Sequence, residues 1–160
     1  MTENISDISV FPFAMADYEE VISLWEMCEG IGLSSADSPE KIKTYLDRNP
    51  GMSFIARKDG KIAGAVLSGH DGRRGFIHHL AVYPDFRKKG IGRKLANECV
   101  SALETAGIEK CHLFIFMNNE SGIRFWERAG WTMREDIGIM SRDLNIHESP
   151  ECGRFKGCSC

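Results

Sequence analysis

GFIHHLAVYPDFRKKGIGRKLANECVSAL, residues 75–103, is the stretch on which the fold turns. An apolar, β-branched run ends at Pro84, a basic turn bearing Gly90 and Gly92 follows, and a long amphipathic segment comes directly after. That order is strand, turn, helix. Glycine lets the backbone turn tightly and approach a ligand without Cβ interference, and the first N–H groups of a helix have no intrahelical partner. The start of this helix is therefore suited to phosphate. Arg87, Lys88, Lys89, Arg93 and Lys94 crowd the positive end of the helix dipole, which is the wrong sign for stability alone. A bound anion resolves that conflict; the alternative is a solvated basic face.

Outward from this stretch, 160 residues suit one domain, large enough to withdraw about 70% of its unfolded surface from water on folding. A formal charge of −3 with 27% charged residues argues against general nucleic-acid affinity, so the basic cluster is a local feature. No apolar run approaches the roughly 20 residues of a membrane span, and the start MTENISD lacks the basic-then-apolar order of a signal peptide. The expectation is a soluble cytoplasmic protein with no membrane and no nucleic-acid partner. Of the six cysteines, Cys28, Cys99 and Cys111 lie in apolar-patterned segments and read as buried thiols. His147, Cys152, Cys158 and Cys160 fall near the end, but Cys158-Ser-Cys160 is not the usual CxxC and no second pair accompanies it, so no metal is expected.

Upstream, residues 8–13 read as a strand that Pro12 pushes to a sheet edge. Asp17 is placed to cap a helix over 18–29, where Val21, Ile22, Leu24, Trp25 and Cys28 recur at helical spacing before Gly30 and Gly32. Ser38-Pro39-Glu40 opens a second helix with Ile42, Tyr45 and Leu46 on its apolar face, and Asn49-Pro50-Gly51 ends it. Asp59-Gly60 between two apolar runs, 53–58 and 61–68, is a hairpin signal, and a turn at Asp71-Gly72 leads to the strand 75–83. Downstream, the helix from Ile91 carries Leu95, Cys99, Leu103 and Ala106 on one stripe up to Gly107. Residues 111–117 read as a buried strand, Asn118 and Asn119 cap a short helix ended by Gly130, and 131–134 and 137–142 read as final strands. After Leu144 the pattern fades.

The order is β, α, α, β, β, β, α, β, α, β, β, which predicts an α/β (α+β) domain over 1–144 and an extension over 145–160. The sheet is expected to be mixed, mostly antiparallel and about seven-stranded, with helices on both faces. A Walker A loop needs GxxxxGK and then Ser or Thr, and a dinucleotide fingerprint needs GxGxxG; neither is present. Arg87, Gly90 and Gly92 match instead the pattern of Arg or Gln, two residues, Gly, one residue, Gly or Ala. LAVYPDFR precedes it, and NNESGIRFWERAGW follows. Over residues 8–144 the chain resembles the GNAT N-acetyltransferase superfamily, whose acetyl-CoA motif this is.

The resemblance implies that the backbone amides of Lys88, Lys89, Gly90, Ile91, Gly92 and Arg93, behind Arg87, hold the pyrophosphate of CoA. It implies that Leu80, Ala81 and Val82 pair with the pantetheine arm where two central parallel strands, 75–83 and 111–117, splay apart. Asn119 and Ser121 would contact the same arm, with Phe125 and Trp126 at the thioester. Acetyl transfer to an amine needs a base, oxyanion stabilisation and a leaving thiolate, and backbone N–H groups near Leu80 and Ala81 are candidates for the oxyanion. Many family members carry Glu where this chain has His78, and an imidazole with an ordinary pKa of about 6.5 suits that task. His79 is the second candidate, directed to the opposite face unless a bulge intervenes. The plain alternative is two histidines that merely occupy strand positions.

Trp126 stands where the family usually has a Tyr acid, and indole N–H is a donor that does not give up its proton. Phe114 stands where the branch acting on a ribosomal-protein N-terminus carries Glu. The first two helices cover the acceptor side in this family, which nominates Trp25, Glu29, Asp37 and Tyr45 as acceptor residues. Together these point to acetyl-CoA as cosubstrate and a small amine or amino-acid-like acceptor. A CoA-binding sensor without turnover and a protein N-terminal acetyltransferase stand as alternatives, and a homodimer is a family-level expectation.

Overall fold

The computed structural model describes residues 8–144. Asp59 and Gly60 both adopt positive φ, 50° and 76°, which a two-residue hairpin of right-handed twist requires. They join β2 (Phe54–Lys58) to β3 (Lys61–His70), while β1 (Ile8–Pro12) pairs antiparallel with β2 and takes the sheet edge. β4 (Gly75–Val82) is antiparallel to β3, and β5 (Cys111–Leu113) is parallel to β4, giving the order β1-β2-β3-β4-β5.

β3 lies at the centre and is buried on both faces. Its side chains divide between the two faces, with a bulge against β2 at Ala63 interrupting the alternation: Ile62, Ala65 and Leu67 join one core cluster, Ala63 and Val66 the other. The first cluster is closed by α1 (Tyr18–Met27) and α2 (Pro39–Arg48), through Val21, Ile22, Leu24, Trp25 and Ile42. The second is closed by α3 (Ile91–Thr105), through Ile91, Leu95 and Cys99, with Trp126 of α4 (Glu120–Arg128) packed at its margin. Each such fully buried aliphatic side chain contributes roughly 1.5–3 kcal/mol. Gly64 allows the close approach of α3, because a Cβ there would lie 3.0 Å from both Leu95 Cδ1 and the Ala81 carbonyl oxygen.

Local signals account for the helix ends. Ser38 Oγ accepts from the Lys41 N–H at 3.4 Å, with Pro39 at the first helical position of α2. Asp17 does not cap α1 with its side chain: its Oδ1 accepts from Arg57 at 2.8 Å and its Oδ2 from the Ala14 N–H at 3.0 Å, which ties the helix start to β2.

Three expectations need correction. The described residues contain five strands rather than seven, because 131–134 and 137–142 form no ladder; Met140 there is 99% exposed. The strand expected over 111–117 stops at Leu113, and Phe114, Phe116 and Met117 are exposed. An apolar pattern is compatible with a strand, but a ladder also needs a partner at the right distance, and beyond Leu113 none is there. Cys28 and Cys99 are buried free thiols as expected, while Cys111 is half-buried; burial pushes the Cys99 thiol up to about 12 and Cys111 to about 11. The expected extension over 145–160, with His147, Cys152, Cys158 and Cys160, lies outside the described residues.

Candidate active site

The site begins where the sheet opens. β4 and β5 register Gly75 with Cys111, Phe76 with His112 and Ile77 with Leu113, and there the pairing ends. Beyond it His78, Ala81 and Val82 keep partners on β3, namely Leu67, Ala65 and Gly64, but the other edge of β4 has no strand beside it. That edge offers backbone donors and acceptors to an extended ligand. A groove of about 1180 Å³ runs along it, between the loop after α1 and residues 113–116.

One end of the groove is the turn into α3. Lys88 and Gly90 take positive φ, 60° and 77°, and the helix opens at Gly90 without a capping side chain. The first bond back into the turn runs from the Lys94 N–H to the Gly90 carbonyl at 3.0 Å. The N–H groups of Ile91, Gly92 and Arg93 make no bond within the described residues. A Cβ at Gly90 would meet nothing within 4 Å, so that face of the turn is open. Among the described residues the charged lining is Arg87, Lys88, Arg93, Arg124 and Arg128 against a single carboxylate, Glu29.

Arg87 is anchored as well as charged. Its Nε donates to the Val82 carbonyl at 3.0 Å and its Nη2 lies 3.6 Å from Cys28 Sγ, fastening the turn to the strand end. Lys89 departs from expectation: it does not line the groove, and its Nζ lies 5.8 Å over the Phe86 ring.

At the other end lie the two histidines. Between Ala65 and Leu67 the β3–β4 register slips, so that β4 carries one extra residue, and His79 adopts φ 51°. This is the bulge that the alternation of strand side chains would otherwise exclude. Both rings consequently fall on the α1/α2 face, 6.4 Å apart between centroids. His79 Nε2 lies 2.8 Å from Asp37 Oδ1, and Asp37 Oδ2 accepts from the Ser34 N–H at 2.8 Å. With the carboxylate as acceptor, Nε2 is the ring nitrogen that donates.

His78 is differently placed. Its ring packs against Tyr45 at 6.0 Å and stacks on Phe76 at 6.3 Å, and neither nitrogen has a hydrogen-bond partner among the described residues. Burial, reinforced by neighbouring His79 and opposed by Asp37, holds its pKa below the ordinary 6.5. The ring is therefore neutral at neutral pH. His78 lines the groove and also a smaller cavity of about 340 Å³ on the α2 side.

The structure gathers His78, His79, Leu80, Ala81, Val82, Arg87, Lys88, Gly90, Ile91, Gly92, Arg93, Asn119, Ser121, Phe125, Trp126 and Glu29 around one groove. Asn119 also caps α4, its Oδ1 accepting from the Gly122 N–H at 3.0 Å and from Ser121 Oγ at 3.3 Å. Trp126 packs between Phe125 and Trp131, at 5.1 and 5.0 Å. Tyr45 is half-buried in the smaller cavity, where burial raises its phenol further above 10, so it stays protonated.

Two of the nominated acceptor residues are elsewhere. Trp25 is 1% exposed and belongs to the core, its ring 5.0 Å from that of His79. Asp37, 4% exposed, is held by His79, by the Ser34 N–H and by the Tyr18 hydroxyl, which donates to its carbonyl at 2.8 Å. Neither lines the groove or the smaller cavity. The Asp37–His79 pair is what sequence reading missed. Its one available signal was the adjacent histidine pair, which a bulge is needed to bring to one face.

Comparison with known proteins came to the same region. The sequence profile of the Acetyltransferase (GNAT) family matches residues 18–131. An acetyltransferase of Pectobacterium atrosepticum is 36% identical over 137 residues, covering 85% of this chain and 96% of its own. An aminoglycoside acetyltransferase from an uncultured soil metagenomic sample, solved in complex with sisomicin, superposes with a TM-score of 0.69 at 20% identity, covering 88% of this chain and 98% of that one. AAC(6')-Iy, solved with the bisubstrate analog CoA-S-monomethyl-acetylneamine, gives a TM-score of 0.69 at 16% identity, covering 86% and 99%. At those identities the two structures speak for the fold.

Proposed function

The chain belongs to the GNAT acetyltransferase family, and from that premise we propose that it acetylates the primary amine of a small-molecule or amino-acid-like acceptor, by direct attack in a ternary complex with acetyl-CoA. One observation carries the reading: His78, neutral and with neither ring nitrogen bonded among the described residues, lines both the groove along the open β4 edge and a second, smaller cavity. A base is needed at just such a junction of donor and acceptor.

The groove suits CoA by its own chemistry. The unbonded N–H groups of Ile91, Gly92 and Arg93 and the basic rim suit a pyrophosphate. The open edge of residues 78–82 suits the amides of a pantetheine arm. Acetyl-CoA supplies the activated thioester. The amine nitrogen attacks its carbonyl carbon, the new C–N bond forms, and the C–S bond breaks. His78 takes the amine proton, directly or through one water. Backbone N–H groups at the bulge, of which Leu80 is the first candidate, hold the oxyanion. A simple thiol, with a pKa near 8.5, leaves as thiolate and takes its proton from water, so the proton-retaining indole of Trp126 is no obstacle. Phe114, at the position where the resemblance puts a Glu in the branch acting on a ribosomal-protein N-terminus, favours a small-molecule amine over a protein.

The test is release of free thiol from acetyl-CoA by the purified protein across a panel of primary amines and peptides. Amine-dependent release above hydrolysis is expected. Tight CoA binding with no release from any acceptor would leave a CoA sensor, and release with peptide N-termini alone would move the substrate to protein.

A further inference from the structure

The smaller cavity beyond His78 has an uneven chemistry. Its α2 wall is Lys41, Tyr45 and Arg48, spaced i, i+4, i+7 and so on one helix face; its β4 wall is Phe76 and His78. Most of the remaining polar groups are already bonded within the protein. Thr44 Oγ1 donates to the Glu40 carbonyl at 2.8 Å. Asn49 Oδ1 accepts from the His70 N–H at 2.9 Å and its Nδ2 donates to the Tyr45 carbonyl at 3.2 Å. His70 Nδ1 accepts from the Gly72 N–H at 3.0 Å. Asp71 Oδ1, on the only carboxylate that the described residues give the lining, accepts from the N–H groups of Arg73 and Arg74 at 2.8 Å each. What remains is two cations, since neither the Lys41 ammonium nor the Arg48 guanidinium has an ion pair or hydrogen bond among the described residues.

Helix electrostatics explain only one of them. Arg48 lies in the last turn of α2, where a cation is favourable, but Lys41 lies in the first, where it is not. Tyr45 adds a hydroxyl that keeps its proton. The cavity thus presents donors and positive charge on one side and a neutral imidazole on the other. An amine with no other charge would leave the donors unanswered, and a polycation would be repelled.

Resting on the acetyltransferase reading, we propose that the acceptor is an amine that also carries an acid group, carboxylate or phosphate, which seats against Lys41 and Arg48 while the amine meets His78. The substrate class is then that of amino acids and their phosphorylated analogues, opposite in charge to the polyamine-like ligands of the structural neighbours.

Matched pairs test this: L-phenylalanine against phenethylamine, L-leucine against isoamylamine, and phosphoethanolamine against ethanolamine, with sisomicin as the polycation. Thiol release from acetyl-CoA is followed for the wild type and for the Lys41→Gln/Arg48→Gln double variant. The acid member of a pair is expected to exceed its neutral partner in kcat/KM by at least about tenfold, the ratio one charge-assisted hydrogen bond commands. That ratio falls towards one in the double variant, and the pair that shows it separates carboxylate from phosphate. Neutral amines or sisomicin turned over as well as the acids, or a ratio that survives the double substitution, would overturn the proposal while leaving the acetyltransferase reading intact. Should no amine release thiol, that reading fails instead, and the acid site is decided by thermal melting with saturating CoA. Acid members that raise Tm in the wild type but not in the double variant uphold it; equal shifts in both overturn it.

Discussion

At His78, burial and the adjacent imidazole pull in one direction, against protonation. The sign fixes the pH dependence: the ring is a competent base above its depressed pKa and is lost as a base when pH falls through it. The acid limb of kcat/KM should therefore lie below pH 6.5, and His78→Ala should remove it while lowering kcat about 10²–10⁴-fold with CoA affinity retained. Stopped-assay rates across pH, with calorimetric CoA titration, check both. Asp37 acts on stability first. Asp37→Ala leaves the His79 ring and the Ser34 N–H without their acceptor in a buried place, which should cost about 1–3 kcal/mol in a urea melt. The strand position of His78 was legible in IHHLAV. The face of His79 was not, because it depends on a one-residue slip against β3, a non-local matter, and on a positive φ that a histidine does not announce. Asp37 reads as an ordinary loop carboxylate because nothing nearby in sequence reveals that His79, 42 residues on, will fold against it.

The turn into α3 was the most legible element, since its glycines, its basic residues and the following amphipathic stripe are all contiguous. Gly90→Asp places a carboxylate at the open face of the turn and should abolish CoA binding by calorimetry. Gly90→Ala, which shares only the cost of a left-handed residue, about 1–2 kcal/mol, should keep more of it. Equal losses in the two would mean that backbone strain, not charge at the phosphate site, decides. The C-terminal strands were misread for the opposite reason. Residues 131–134 and 137–142 carry strand-like apolar patterns, but pairing is a property of the neighbour, and the chain that would have supplied it leaves the sheet after Leu113. The same departure makes the groove, so the error in strand count and the existence of the site have one cause.

Across the whole molecule, the sheet keeps its two faces apart: α3 and the turn lie on one, α1 and α2 with both histidines on the other. The groove through the β4–β5 opening is the passage between them, so a ligand that spans it ties the two core clusters together. Acetyl-CoA at 100 times its Kd should stabilise the fold by about 2.7 kcal/mol. For a domain of this size that raises Tm by several degrees, on the order of 5–10 °C, in differential scanning fluorimetry. The element order as far as α4 and both apolar faces followed from periodicity along the chain; the cation pair of α2 depends on Phe76 and His78 lying opposite it.

Whether one groove delivers a thioester from the α3 turn to His78 is decided by a crystal structure with acetyl-CoA bound. The pyrophosphate is expected over the N–H groups of Ile91, Gly92 and Arg93, and the acetyl carbonyl beside the bulge, with His78 within reach of the carbonyl carbon through at most one water. A pyrophosphate bound away from the turn, or a sulfur that ends far from His78 with another titratable group in its place, would contradict it.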